Sequence, residues 1–134
     1  MIDIEDSVFN RCVEAIDATG IEASVSASYV NRPAFFPSVQ ILASDNPIDT
    51  RYSDSGSVER VATPVFTVQV YADNSNHRGR EVCKALMAAV NDRLVAMNFN
   101  RTSCMFLDNA EDTSITRYVA RFTCATDGIL TYTR

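Results

Sequence analysis

Residues 64–97, PVFTVQVYADNSNHRGREVCKALMAAVNDRLVAM, decide the fold of this chain. The first third is apolar and rich in β-branched residues, which predicts a strand over residues 65–71. A polar turn at 73–76 follows, and then apolar side chains recur at spacings of one, three and four, as on the buried face of a helix. This stripe consists of Val82, Cys83, Leu86, Met87, Val90, Leu94 and Met97. A strand, such a helix and a further strand predict a crossover unit in which the helix packs on a sheet.

The N-terminal part of the chain predicts a second helix and a half-buried strand. The helix covers residues 4–19, and its apolar stripe consists of Val8, Phe9, Cys12, Val13 and Ile16. Asp3 is placed to cap this helix and Gly20 to end it, since glycine readily takes the left-handed conformation found after helices. Residues 23–29 then alternate apolar and polar side chains, which predicts a strand with one face in contact with water.

A long β-hairpin is predicted in the middle of the chain. Residues 38–44 form one strand and residues 58–72 the return strand, in which Pro64 indicates a bulge or an edge position because proline lacks the ladder N–H. The polar segment 45–57 between them is the tip of the hairpin. Loops of this length often carry function, although a simply solvated tip explains the composition equally well.

The C-terminal part predicts two further strands, over residues 99–107 and 114–126, and a short final strand at 129–132 after the turn Asp127-Gly128. One face of the second strand consists of Tyr118, Ala120, Phe122 and Cys124, and the other of Ile115, Arg117, Val119 and Arg121. The predicted order is α-β-β-β-α-β-β. The fold class is therefore α+β, with a mainly antiparallel sheet and two helices packed on one face.

Length and charge limit the class of protein. The 134 residues suit a single domain, 1–134, that buries its own core. The net charge of −5 argues against a surface that binds nucleic acid tightly. The chain has no run of 18 apolar residues and begins with acidic residues rather than a signal peptide, so we expect a protein made in a cytoplasm that contacts no membrane. Eleven of the twelve cations are arginines, which are enriched at interfaces, although a GC-rich genome explains this bias at least as well.

No motif in the sequence indicates a catalytic, cofactor or metal site. The four cysteines, which form no CxxC pair, are expected to be reduced structural thiols: Cys12, Cys83, Cys104 and Cys124. The four glycines are isolated and form no phosphate-binding loop. The single histidine, His77, shows no triad spacing and is expected on the surface. Asp108, Glu111 and Asp112 match no calcium loop and are interpreted as a turn. The residues by themselves therefore predict a protein without cofactor or metal.

Weak motifs follow one another in order along nearly the whole chain. They begin with Tyr29, Pro33 and Phe36-Pro37-Ser38-Val39. They continue with Val68-Gln69-Val70-Tyr71, Gly79-Arg80 and Met97-Asn98-Phe99-Asn100-Arg101-Thr102. They end with Asn109-Ala110-Glu111-Asp112-Thr113-Ser114-Ile115-Thr116-Arg117 and Ala120-Arg121-Phe122. In the order and spacing of these motifs, the chain resembles the tail terminator (tail completion) proteins of long-tailed, siphovirus-like bacteriophages.

The resemblance implies a structural virion protein of the tail and neck, synthesised in the host bacterial cytoplasm. Members of this family form a hexameric ring that caps the finished tail tube and joins it to the head connector, and double-stranded DNA passes through the ring. The expected partners are therefore further copies of the chain in a homo-hexamer, the tail tube protein and the connector (stopper) protein. Specific DNA binding is not expected. Members of this family are not enzymes, which agrees with the absence of catalytic motifs in the sequence. Two alternatives stay open: another neck or head-completion protein of the same virion, and a small ligand-binding domain or enzyme.

Charged residues in two places are candidates for an interface or for the lumen of such a ring. The segment 45–59 carries four carboxylates against one cation and either projects toward a partner or is solvated. Two arginines four residues apart on a strand either contact a partner or form ion pairs with neighbouring strands. The candidate residues are Asp45, Asp49, Arg51, Tyr52, Asp54, Glu59, Arg117 and Arg121.

Overall fold

The computed structural model describes residues 1–29, 35–47, 61–73, 78–107, 114–127 and 131–132. Its helices and strands are α1 (Glu5–Ala18), β1 (Ser24–Ser26), β2 (Ser38–Asp45), β3 (Val65–Asp73), α2 (Gly79–Ala96), β4 (Asn100–Leu107), β5 (Ile115–Thr123), β6 (Ala125–Thr126) and β7 (Thr131–Tyr132). The predicted order α-β-β-β-α-β-β is confirmed for the first seven elements, and two short strands follow them.

Five strands form one mixed sheet in the order β1-β2-β3-β5-β4, and β6 pairs with β7 in a separate two-stranded sheet. β1 runs parallel to β2, whereas the other three pairings of the large sheet are antiparallel. Both helices lie on one side of this sheet, which confirms the predicted α+β class. β3 and β4 are each antiparallel to β5 and therefore parallel to each other. The predicted crossover from β3 through α2 to β4 thus exists, but β5 is inserted between its two strands.

The core fills the space between the helices and one face of the sheet. The helices contribute Val8, Cys12 and Ile16 from α1 and Cys83, Leu86, Met87, Val90 and Leu94 from α2. The strands contribute Val39, Ile41, Phe66, Val68, Val70, Ala120 and Phe122. These residues come from the predicted helix stripes and from one face of each strand, because alternate side chains of a strand point the same way. Phe66 and Phe99 pack edge to face with their ring centroids 5.9 Å apart, near the end of α2.

Both helices end next to a residue in the left-handed conformation. Gly20 has φ of 76° after α1, as predicted, and Asn98 has φ of 67° after α2. The residue before α1 is Ile4 rather than the predicted cap Asp3. The Asp3 carboxylate nevertheless accepts a hydrogen bond from the N–H of Glu5 at 2.9 Å, so it satisfies one donor of the first turn.

β2 and β3 form the predicted long hairpin. Pro64 lies just before β3 rather than within it, so its missing N–H falls outside the ladder of this central strand. The bulge or edge position expected at Pro64 is therefore wrong, since β3 is a central strand, and the register shift of this hairpin lies on the opposite strand, between Ala43 and Asp45. Beyond the ends of β2 and β3, the N–H of Thr63 donates to the carbonyl of Pro47 at 2.8 Å, so a hydrogen bond joins the two arms of the hairpin there. The predicted tip lies for the most part in residues 48–60, outside the described residues.

Three predicted strands differ in extent from the observed ones. β3 begins at Val65, so residues 61–64 of the predicted strand 58–72 lie outside it. β1 covers only three residues of the predicted strand 23–29. The predicted strand 114–126 is divided into β5 and β6 at Cys124, whose side chain lies in the core. After this break Thr126 turns to Ala62, and the two residues exchange backbone hydrogen bonds of 2.8 and 2.9 Å. The segment directly after β5 therefore pairs with the segment that leads into β3.

Candidate functional site

The face of the large sheet that points away from the helices is polar. Because side chains alternate along a strand, the residues between the core positions of β2, β3 and β5 lie on this face. They include Gln40, Thr67, Gln69, Tyr71, Arg117 and Arg121. Gln40, Gln69 and Tyr71 are buried, with exposed fractions of 0%, 6% and 2%. Buried polar groups are stable when they are hydrogen-bonded, so specific contacts organise this face.

Gln69 links two other residues of the polar face. Its Oε1 atom accepts a hydrogen bond from the Tyr71 hydroxyl at 2.8 Å. The Arg117 guanidinium on the neighbouring strand donates to the same oxygen from Nη2 at 2.9 Å and from Nε at 3.2 Å. Burial raises the pKa of the Tyr71 hydroxyl, and the positive charge of Arg117 acts against this shift. Tyr71 is therefore a protonated donor at neutral pH, and one amide oxygen holds both neighbours.

Arg117 and Arg121 lie on the same face, as predicted, but their environments differ. Arg117 is half-buried, and the hydrogen-bond partner described above is the neutral amide of Gln69 rather than a carboxylate of the predicted ion-pair ladder. Arg121 is exposed and pairs across the sheet with Thr67 on one side and Ser103 on the other. Arg121 is thus the more accessible of the two for contact with a partner.

The other candidates from the sequence are concentrated in the hairpin. Asp45 is the last residue of β2 and is exposed, and its carboxylate accepts a hydrogen bond from the N–H of Asn46 at 2.8 Å. The remaining candidates lie outside the described residues: Asp49, Arg51, Tyr52, Asp54 and Glu59. Their placement at an interface or in a lumen stays a prediction.

A stack of three side chains from α2, β4 and β5 was not indicated by any sequence pattern. The guanidinium of Arg80 lies 3.9 Å from the centre of the Phe106 ring. This ring stacks on Tyr118, its partner on the neighbouring strand, with centroids 4.0 Å apart. A hydrogen bond with the Cys104 thiol and then burial raise the pKa of the Tyr118 hydroxyl, whereas the charges of Arg101 and Arg80 lower it.

Two cations, Lys84 and Arg101, line an open cleft of about 190 Å³ between α2 and the strands β4 and β5, which we call the basic cleft. Arg80 and Lys84 are four residues apart on α2 and thus lie on one side of the helix. Arg101 of β4 donates from Nη1 to the Asn91 side chain of α2 at 3.1 Å. Asp92 is the acidic residue in the wall. The spacing of Arg80 and Lys84 was visible in the sequence, but the approach of Arg101 depends on how β4 pairs.

Negative charge is concentrated at the start of α1 and the end of β2. We call this group the acidic corner, and it consists of Asp3, Glu5, Asp6 and Asp45. The side-chain amide of Asn46 donates to the carbonyl of Ile2 at 2.7 Å, which holds the end of β2 against the segment that leads into α1. Carboxylates in a first turn are favoured by the helix dipole. The acidic corner is therefore compatible with a stable α1.

The four cysteines are reduced thiols, as predicted. Cys12, Cys83 and Cys124 are buried, whereas Cys104 is only half-buried because it lies on the edge strand β4. Burial raises the pKa of Cys12 and of Cys83 to about 12. The Cys83 thiol donates weakly to the carbonyl of Val70 at 3.7 Å. These thiols act as small apolar side chains of the core.

Within the described residues, no three side chains of His, Cys, Asp or Glu are grouped so that they could hold a metal ion. No helix in this part of the chain is both long enough and apolar enough to span a membrane. Four residues considered in the sequence analysis lie outside it: His77, Asp108, Glu111 and Asp112. A comparison of the chain with models of known protein families finds no match, and neither does a search of curated protein sequences.

Proposed function

We propose that the chain is a tail terminator protein of a long-tailed bacteriophage. In this role six copies form a ring that caps the tail tube and joins it to the head connector. The partners are the other copies in the ring, the tail tube protein and the connector protein, and the protein is located in the neck of the virion. DNA passes through the ring without being bound specifically, and the protein performs no catalysis.

The observation that carries this proposal is the position of the resembling motifs in the sheet. Phe36-Pro37-Ser38-Val39 leads into β2, Val68-Gln69-Val70-Tyr71 lies in β3, and Ala120-Arg121-Phe122 lies in β5. These strands are neighbours, with Val39 opposite Val70 and Val68 opposite Ala120. The motifs that are far apart in sequence thus meet in the centre of one sheet, so the resemblance involves residues that determine the fold.

The edge strand β4 also suits an assembling protein. β4 is eight residues long and ends the order of the large sheet. Its residues from Ser103 to Leu107 include no charged side chain and no proline, the features that commonly prevent edge strands from pairing with other chains. Met105 and Leu107 on this strand are exposed by 52% and 36%. An accessible, partly apolar edge of this kind is favourable for contact with another protein subunit.

Electron microscopy of the purified chain with tail tubes tests the proposal. The tubes are assembled from the tail tube protein encoded in the same genome. We expect a six-fold ring at one end of each tube, and capped tubes should stop growing when more tube protein is added. Tubes incubated without the chain are the control and should continue to lengthen.

The possible outcomes separate the alternatives. Tubes that remain uncapped and keep growing at saturating concentrations of the chain contradict the proposal. A ring that binds the isolated connector but not the tube supports another neck protein instead. A chain that stays monomeric with both components and binds a small molecule supports the ligand-binding alternative.

A further inference from the structure

The face of the large sheet that points away from the helices carries two arginines around an apolar centre. Arg117 and Arg121 lie on β5 with Val119 between them, and these three alternate with residues of the core. On the edge strand β4, Leu107 lies opposite Arg117 and Met105 lies opposite Val119, so both are on the same face. Met105 and Leu107 are exposed. We call these five residues the arginine patch.

Neutral groups hold the guanidinium of Arg117 in place. It donates from Nε and Nη2 to the side-chain oxygen of Gln69, and its central carbon lies 5.7 Å from the centre of the Tyr71 ring. Gln69 and Tyr71 are both more than nine-tenths buried, and a hydrogen bond joins them. These contacts restrict the long arginine side chain in the folded protein, so binding a partner costs less conformational entropy.

The charge of Arg117 is not neutralised by a carboxylate in the part of the chain that the structure describes. The ion pairs found there involve Arg11, Arg78 and Arg93. Asp73 lies on the same face at the end of β3 but forms no ion pair with Arg117. Arg117 is half-buried, and a charge that water solvates only in part is stabilised by a partner of opposite charge.

Three N–H groups of this guanidinium are available to a partner among the described residues. It has five N–H groups in all, of which one on Nε and one on Nη2 donate to Gln69. The remaining groups are on Nη1 and Nη2, and two adjacent nitrogens of this kind bind a carboxylate through parallel hydrogen bonds. We infer that the arginine patch binds an acidic, extended segment of another protein, with Arg117 as its anchor.

The spacing of the two arginines indicates the extended conformation. Residues four apart on a strand lie on the same face and are separated by about 14 Å, at about 3.4 Å per residue. Two carboxylates four residues apart on an extended segment match this distance, and the residue midway between them then lies over Val119 and Met105. A helix needs about nine residues for the same distance, which is about two and a half turns and places the carboxylates on opposite sides.

The apolar centre of the patch favours a protein over a nucleic acid. A phosphate backbone offers negative charge but no apolar group to cover Val119, Met105 and Leu107. The net charge of −5 also repels a polyanion. Arginine next to apolar side chains is instead typical of contacts between proteins. The inference goes beyond the proposed function, because no step of it uses the ring or the tail tube.

Titration of the isotopically labelled full chain with short peptides tests the patch by NMR spectroscopy. The probe is the capped peptide Ser-Glu-Thr-Val-Thr-Glu-Ser, whose glutamates are four residues apart with valine midway. The control peptide, Ser-Glu-Thr-Val-Glu-Thr-Ser, has the same composition, but its glutamates lie on opposite faces of an extended chain. We expect the probe to shift backbone amide signals of β4 and β5 with a dissociation constant of about 1 mM. The control should bind at least about fivefold more weakly, since only one of its carboxylates reaches the patch.

Three variants that change the net charge equally identify the residues involved. Gln69→Glu places a carboxylate against Arg117 and neutralises the anchor in place, so the probe should bind at least about tenfold more weakly. Arg121→Gln removes an exposed cation and should weaken binding by about twofold to fivefold. Arg11→Gln on α1 is the control and should bind the probe like the wild type. The dispersion of the amide signals shows whether each variant is folded.

Any of four results overturns the inference. The first is a wild-type chain without shifts at about 10 mM probe, where a site with a dissociation constant of about 1 mM is largely occupied. The second is equal binding of the probe and the control peptide. The third is unchanged affinity in Gln69→Glu, or in Arg121→Gln if the first variant does not fold. The fourth is a short DNA duplex that shifts the same amides at lower concentration than the probe.

Two further measurements separate this inference from other occupants and from the proposed function. Shifts of the same amides when the chain is concentrated without peptide identify a second copy as the occupant and overturn the inference. Failure of the probe to bind leaves the capping of tail tubes untouched, because the microscopy measures it separately. Conversely, binding that depends on Gln69 and Arg121 without any capping supports the inference and contradicts the proposed function.

Discussion

Replacing Gln69 with leucine tests whether the polar face of the sheet is held together by one amide oxygen. Leucine is similar in size to glutamine, so the packing volume is largely kept while the acceptor is lost. The Tyr71 hydroxyl, in a side chain that is 2% exposed, and the Arg117 guanidinium then both lose the partner described above. The variant therefore isolates the contribution of the hydrogen bonds from that of side-chain volume.

The size of the effect follows from the three contacts. A hydrogen bond between neutral groups contributes about 1 kcal/mol, and one to a charged group about 1.5–3 kcal/mol. Arg117 is half-buried, so water replaces part of the lost contact, and we expect Gln69→Leu to lower the free energy of unfolding by about 2–3 kcal/mol. For a chain of this length the melting temperature should fall by roughly 10 °C.

Urea unfolding at neutral pH measures the loss, with two variants as controls. Tyr71→Phe removes one donor and leaves the Arg117 contact, so it should cost only about 1 kcal/mol. Gln69→Glu keeps an acceptor and places a negative charge beside Arg117, so it should cost less than Gln69→Leu. A leucine variant within about 0.5 kcal/mol of the wild type refutes the reasoning, as this is the range of ordinary surface substitutions.

Three further predictions concern thiols and backbone. In the native protein Cys104 should react fastest with a thiol reagent, and the buried Cys12, Cys83 and Cys124 should react slowly. All four should react quickly in denaturant, and equal rates in the native protein would contradict the burial of these three thiols. Because folding raises the pKa of Cys12 and Cys83 from 9.0 to about 12, the unfolded chain releases these protons first, so stability should fall as pH rises from 9 toward 12. Cys12→Ala should make the fall of the unfolding free energy with pH less steep by about 1.4 kcal/mol per pH unit, as measured by urea unfolding at several pH values. An unchanged pH dependence would contradict the raised pKa of Cys12. Gly20→Ala should cost about 1–2 kcal/mol in the same assay because φ is 76° there, and no loss of stability contradicts the strain.

The secondary-structure elements were largely predictable from sequence because their patterns are local. The apolar stripe of α2, from Val82 to Met97, needs only the helical period, and most of its residues lie in the core or against it. The alternation on β5 likewise placed Arg117 and Arg121 on one face before any pairing was known. The ends of strands were less predictable. Pro64 lies just before β3, where its missing N–H is outside the ladder, but the sequence did not show that β3 is a central strand. The break at Cys124 depends on its side chain packing in the core.

The candidate site was predictable only in part, because its contacts join distant segments. Gln69 and Arg117 are separated by 48 positions, and nothing in either local pattern shows that they meet. The burial of Gln69 on the face away from the helices was also unexpected, since alternation alone predicts an exposed position there. The basic cleft needs the pairing of Phe106 with Tyr118 before its cations can be placed together.

The insertion of β5 between β3 and β4 determines where several charged residues of the subunit lie. If β4 paired with β3, as the simplest crossover would have it, only two strand spacings, or about 10 Å, would separate it from β2. β5 would then form the edge, and its arginines, Arg117 and Arg121, would border that side. The observed order instead places β4 outermost and moves Arg101 to the edge farthest from Asp45. The same long-range pairing that could not be predicted from sequence therefore places Arg101 on an edge strand and keeps Arg117 and Arg121 on a strand with a neighbour on each side.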